Sequence, residues 1–238
     1  MAKKKLIKAS ELPDIEFITT GFEELDKVVQ FPRGRVTEIF GLQSVGKTTL
    51  TLISIAGMTQ AGMKTLFIDV ENTFSKDRAT ELGIDLTKLT LSDETIVEEI
   101  VEIVRENIKN FDVIVIDSVA AMIPRAEFEG VSGDAVMGLK ARLMGQFLRM
   151  ITGELGKSKC ALIFINQLRE NLAMFTAKYS TPGGNALKFS ASLRLELKTT
   201  AADRIIKDKV QVGHWVTVNV EKSKVGKPKQ SARFKVMY

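Results

Sequence analysis

The side chains able to do chemistry in this 238-residue chain gather first in an octapeptide, GLQSVGKT, residues 41 to 48. It fits the spacing G-x-x-x-x-G-K-[ST], directly after a strand-like run, RVTEIFG, and directly before a helix-like one, KTTLTLISIAGMTQ. Gly41 and Gly46 let the backbone curl, so that N–H groups from Leu42, Gln43, Ser44, Val45 and Gly46 converge on an anion, and the helix N-terminus adds positive potential. Lys47 brings a mobile charge to terminal phosphates, Thr48 an oxygen for Mg2+, and Thr49 continues the same first turn. Such a loop works with a carboxylate that closes a neighbouring apolar strand, and Asp117 closes VIVID with Ser118 beside it. These residues predict a site for a nucleoside triphosphate with Mg2+, Thr48 and Asp117 standing on the metal side. Hydrolysis also needs a group that orients or deprotonates water. Glu71 ends the run LFIDVE at the carboxyl edge, where ligands collect in open α/β sheets, and is the candidate general base, with Asp69 on the same face. The competing reading of Glu71 is a plain surface carboxylate.

Stepping outward, strands and helices must alternate to hold these groups. TLFIDVE (65–71) follows the first helix, and SKDRATELG forms a short helix stopped by Gly83. TIVEEIVEIVRENI places Ile96, Ile100, Ile103 and Val104 at helical spacing. VIVID (113–117) is apolar almost throughout, as a strand buried on both faces must be. A long helix around MGLKARLMGQFLRMITGEL leads to the strand CALIFINQ. After Gly184 the runs SASLRLELK (190–198), HWVTVNVEKSK (214–224) and SARFKVMY (231–238) alternate apolar and polar. The fold class predicted is α/β, a P-loop core with a mostly parallel sheet flanked by helices and antiparallel strands at the C-terminal end. No repeat or low-complexity linker interrupts the chain. A core over residues 17–238 preceded by an arm over residues 1–16 is the expected organisation.

Hydrophobic residues make up 45% of the chain and charged residues 26%, which excludes a disordered or fibrous class. Charges interrupt every apolar run before membrane-spanning length, and the lysines of MAKKKLIKAS have no apolar stretch after them to make a secretory signal. Cys160 is the single cysteine, so no internal disulfide can form; a buried inert thiol in a cytoplasmic protein is expected. With one histidine, His214, beside Trp215, neither a zinc site nor a catalytic triad can be assembled, and His214 reads as packing or edge surface. The net charge of +5 is uneven: KSKVGKPKQSARFK (222–235) carries six basic residues and no acid. Such a stretch permits an anionic partner without requiring one.

One segment resists explanation by packing. The strand ending in Asn166-Gln167 opens into a loop with Arg169, Met174, Phe175, Lys178 and Tyr179 before Gly183-Gly184. EIFGLQSVGKTTLTL, FIDVE, VIVIDSVAA, EGVSGDAVMGLKARLM, LIFINQLR and GGNALKFSASLRLEL, taken in order, resemble the bacterial RecA recombinase family from about Ile15 to Tyr238. The resemblance implies an ATP-dependent, Mg2+-requiring helical filament on single-stranded DNA that pairs it with homologous duplex DNA. It implies that Gln167 senses the γ-phosphate and couples it to the adjoining loop; a polar strand-end cap is the plainer alternative. It implies two DNA loops, near residues 124–138 and over 168–183. Arg142 and Arg149, seven apart on one helix face, would then contact phosphates together with Arg169, Gly183, Gly184 and Asn185. Met174 and Phe175 resemble an apolar tip that enters between bases, the plainer alternative for Phe175 being a loop anchor in the core. Lys222 and Lys224 resemble a pair that reaches the neighbouring subunit's γ-phosphate, against the alternative of a solvated edge strand.

The sequence also departs from the family pattern. The long N-terminal helix and the C-terminal duplex-gathering domain have no counterpart, so KLIKASELPDIEF is expected to supply a subunit contact as an arm. Arg78 stands where an adenine-stacking tyrosine is usual, and a guanidinium plane can still stack on a base. The second loop is about one residue shorter, with Asn171 replacing a lysine. A ring-forming motor and an ATP-switched mediator or annealing protein therefore stay open beside the recombinase.

Overall fold

Nine strands form one sheet in the computed structural model, which describes residues 8–130, 138–170 and 179–238. After a 3-10 turn (Ala9–Glu11), β1 (Phe17–Ile18) pairs with β2 (Phe31–Pro32) on either side of α1 (Glu23–Asp26). Alternation then begins: β3 (Val36–Gly41), α2 (Lys47–Gln60), β4 (Thr65–Asp69), α3 (Lys76–Glu81), β5 (Leu89–Ser92), α4 (Val97–Asn107) and β6 (Val113–Asp117). Next come α5 (Arg125–Phe128), α6 (Leu139–Ser158), β7 (Ala161–Gln167), β8 (Arg169–Glu170), β9 (Tyr179–Ser180) and α7 (Asn185–Ser190). The chain closes with β10 (Leu193–Lys198), β11 (Arg204–Lys207), β12 (Val210–Ser223) and β13 (Ser231–Met237).

The sheet runs β11-β12-β10-β3-β7-β6-β4-β5, with β13 on the other edge of β12. From β10 to β5 every pairing is parallel; β12 is antiparallel to β10, β11 and β13. The period of two divides the strands between two cores. Val113 and Val115 pack with Leu50, Ile55 and Met58 of α2, whereas Ile114 and Ile116 pack with Ile100 and Val104 of α4 and Phe147 and Ile151 of α6. Covering both faces is why VIVID reads as continuous apolar sequence.

Parallel register brings the functional positions to one edge. Gly41 lies opposite Gln167, and Asp69 opposite Asp117. A buried polar brace stands behind that edge: Arg194 Nε donates to Glu38 Oε2 at 2.5 Å, and Asn166 Nδ2 donates to Glu38 Oε1 at 3.1 Å. Asn166 also donates to the Pro182 carbonyl at 3.1 Å, tying β7 to the end of the second loop.

The α/β reading and the antiparallel C-terminal extension agree with the structure, while several boundaries move. β4 ends at Asp69, so Glu71 sits in the turn beyond it, its N–H donating to the Asp117 carbonyl at 3.3 Å. Residues 185–190 form α7, packed against α6, so the following strand starts at Leu193 rather than at 190. β12 begins four residues before His214 and ends at Ser223, leaving Lys224 just past it. The base of the second loop is a two-residue ladder between β8 and β9. Glu16, the last residue of the expected arm, forms salt bridges with Arg33 and Lys159.

Candidate nucleotide-binding site

Backbone geometry makes the 41–48 loop a cradle. Ser44 (φ 58°) and Gly46 (φ 100°) take left-handed conformations that turn the chain sharply. A Cβ on Gly41 would lie 2.5 Å from the Leu197 carbonyl, so only glycine lets the loop start this close to β10. Val45 is buried in the core and contributes backbone alone, whereas Leu42 is largely exposed. Lys47 folds back over the loop, donating to the Leu42 carbonyl at 2.7 Å and the Gly41 carbonyl at 3.3 Å. Burial pushes its pKa down from the ordinary lysine value, against the pull of Asp117 and Glu71.

Carboxylates crowd the opposite wall. Thr48 Oγ1 donates to Asp117 Oδ2 at 2.7 Å. Burial raises the Asp117 pKa to about 6, the negative charges of Glu71 and Asp69 add to the rise, and Thr48 and Lys47 oppose it. Asp69 Oδ2 accepts from the Phe74 N–H at 2.7 Å, yet its Oδ1 is buried with no partner among the described residues. A paired Thr hydroxyl and carboxylate, an orphaned carboxylate oxygen and mutual carboxylate repulsion fit a divalent cation. Glu71 Oε1 accepts both the Ser118 hydroxyl and Gln167 Nε2, the latter at 2.9 Å. The candidate water activator and the candidate sensor are thus joined directly.

Lys47, Thr48, Glu71, Asp117 and Gln167 line a cleft of about 590 Å³ together with Gln43, Thr49 and Thr73. Its far end is built by Arg78, His214, Val236, Met237 and Tyr238. Arg78 donates to Glu81 at 3.2 Å and to the Met237 carbonyl at 3.4 Å, which holds its guanidinium in this wall. The Tyr238 hydroxyl accepts from Gln211 at 3.1 Å and meets His214 Nδ1 at 3.0 Å. His214 belongs to this wall and not to an outer edge. The signal was its alternation with inward Val216, Val218 and Val220.

The candidate DNA face collects around α6. Arg142, Arg149 and Arg169 are exposed. Gly183 (φ 86°) and Gly184 (φ 71°) bring the backbone onto α6, where a Cβ on Gly184 would lie 2.8 Å from the Ala141 Cβ. The adjoining residue on α6 is Arg142, and Asn185 opens α7. Gly145, one turn above Ala141, sits against Ala186 and beside Arg149. Met174, Phe175 and residues 131–137 of the first loop lie outside the described residues. Lys222 and Lys224 do not line their own cleft. Lys222 donates to the carbonyls of Lys188 (2.8 Å) and Phe189 (2.9 Å), and Lys224 to that of Phe189 (3.4 Å), at the C-terminal end of α7.

Comparison with known proteins follows the same residues. A family model described as the RecA N-terminal domain matches residues 2–238. Protein RecA of Clostridium acetobutylicum is 43% identical over 234 residues, 96% of this chain and 66% of that protein. Protein RecA of Streptomyces avermitilis is 44% identical over 245 residues, covering 99% and 64%, and that of Cytophaga hutchinsonii 44% over 231 residues, covering 94% and 65%. The chain therefore spans slightly under two thirds of the length of these curated relatives.

Proposed function

This chain belongs to the RecA family, whose members bind nucleotide, and we propose that it is an ATP-dependent, DNA-stimulated recombinase acting in the cytoplasm in recombination and repair. In this reading it assembles head to tail on single-stranded DNA, with ATP at each junction, and pairs that strand with a homologous duplex. One observation carries the reading: Glu71 is held at once by Ser118, next to Asp117, and by Gln167, at the root of the loop that bears Arg169.

The chain's own residues suit in-line hydrolysis. Loop N–H groups and Lys47 bind the phosphates, releasing Lys47 from the Gly41 and Leu42 carbonyls. Thr48 and Asp117 would hold Mg2+, which supplies charge neutralisation at the phosphates. Gln167 shifts its amide from Glu71 toward a terminal phosphate oxygen, and Glu71, so released, orients and deprotonates the attacking water. The same shift moves Arg169, two residues on, which is how nucleotide state reaches the DNA face. Lys222 and Lys224, which do not line their own cleft, would act on a neighbour's; cations supplied in trans raise phosphoryl transfer by roughly 10³–10⁵ in other P-loop enzymes.

Phosphate release with and without single-stranded DNA tests this. Wild type should be stimulated by DNA, and Glu71→Gln should lose roughly 10²–10⁴ of turnover while binding ATP and DNA normally. Hydrolysis indifferent to DNA, or ATP binding without turnover in wild type, would favour the mediator reading. Closed six-membered rings with DNA and a slowly hydrolysed analogue would favour the motor.

A further inference from the structure

Lys140 belongs to none of the groups assigned above. It stands in the first turn of α6, directly after the first-loop segment, and its ammonium points back into the protein. There it donates to the carbonyls of Val119 (3.2 Å) and Ala120 (3.0 Å), the two residues that follow Asp117 and Ser118. Val119 is itself fixed, its N–H donating to the Ile165 carbonyl on β7 at 2.9 Å. Ser118 is fully buried with its hydroxyl on Glu71. Lys140 is thus two residues from the group that holds the water activator.

Its electrostatic surroundings come from the two candidate DNA loops. Burial disfavours its charge, the Arg169 guanidinium at the start of the second loop disfavours it further, and Glu127 on α5, in the first part of the first loop, favours it. We propose that Lys140 is a positioning residue that couples DNA contact to the nucleotide site, a cationic strap between the roots of both loops and the turn after Asp117-Ser118. The physics is charge relief. A DNA phosphate on Arg169 cancels the like-charge repulsion that Lys140 feels, so its bonds to the Val119 and Ala120 carbonyls strengthen. The turn carrying Ser118 is then held more firmly and Glu71 is better oriented. Coupling of this kind runs both ways, so nucleotide should also order the first turn of α6.

The DNA part rests on the proposed function; the mechanical link does not, and two readouts separate them. The first is amide hydrogen exchange with a non-hydrolysable ATP analogue and Mg2+ in the absence of DNA. In wild type, protection should rise both at residues 118–121 and at residues 139–143. In Lys140→Met it should rise only at 118–121, and Lys140→Arg should restore the second response. The second readout is phosphate release: Lys140→Met should keep DNA-free hydrolysis near wild type and lose stimulation by single-stranded DNA by roughly 5- to 100-fold, the usual range of a coupling energy. An exchange response at 139–143 in Lys140→Met equal to wild type overturns the strap. A normal exchange pattern with no DNA stimulation of wild type sinks the recombinase reading and leaves the strap standing.

Discussion

At the scale of single residues, the cleft holds more negative charge than its own lysine balances. Asp117 shows this most clearly: burial and the neighbouring Glu71 and Asp69 carboxylates lift its pKa from 3.8 to about 6. A carboxyl raised in the folded state stabilises the fold fully below its unfolded value of 3.8, and that contribution is lost as pH rises through about 6. At neutral pH, then, ionised Asp117 opposes folding of the nucleotide-free protein, by about 3 kcal/mol at most. Asp117→Asn keeps an acceptor for Thr48 while removing the charge. Calorimetry of the free protein should show this variant melting roughly 3–8 °C above wild type at neutral pH. Adding Mg2+ and ATP should then raise the wild-type melting temperature far more than that of the variant. For wild type the Mg2+-dependent gain should fade as pH drops below about 6, where a proton competes for the carboxylate.

At the scale of elements, legibility tracked two-sided burial. β3, β4, β6 and β7 could be read from sequence because both faces are covered, leaving short apolar runs ended by Gly41, Asp69, Asp117 and Gln167. β8 and β9 could not, since two residues carry no period, and α7 hid inside what looked like the start of a strand. Site residues fared alike. The phosphate loop is contiguous and announces itself, whereas the Gln167–Glu71 contact joins positions 96 apart and appears only once β3 and β6 flank β7. The brace of Glu38, Arg194 and Asn166 was equally invisible: three polar residues within strands that pairing alone turns into partners. Because Glu38 is fully buried, Glu38→Gln leaves Arg194 in the interior without a counter-charge. Urea unfolding should register a loss of about 3 kcal/mol. Arg194 lies over the Phe40 ring at 4.3 Å, so loosening should be felt one residue from the phosphate loop.

At the scale of the whole molecule, each chain carries half of a complete junction if Lys222 and Lys224 serve a neighbour. One face offers the cleft with Glu71, the other the end of α7 where both lysines rest on the Phe189 carbonyl. Mixing two inactive variants tests that division. Glu71→Gln protomers retain the lysines, and Lys222→Ala/Lys224→Ala protomers retain the water activator. An equal mixture on DNA should recover about a quarter of wild-type hydrolysis, the share of head-to-tail junctions that pair an intact cleft with intact lysines. No recovery would place the lysines in service of their own chain.

The final strand has one more consequence. β13 contributes Val236 and Met237 to the far wall of the cleft while its outward residues Arg233 and Lys235 lie 5.2 and 4.8 Å from the ring of Trp215 on β12. Trp215 is the only indole in the chain. A ligand that nudges this strand also changes how two cations sit against the single indole, whose emission can be excited apart from the tyrosines, so the protein carries its own optical gauge of occupancy.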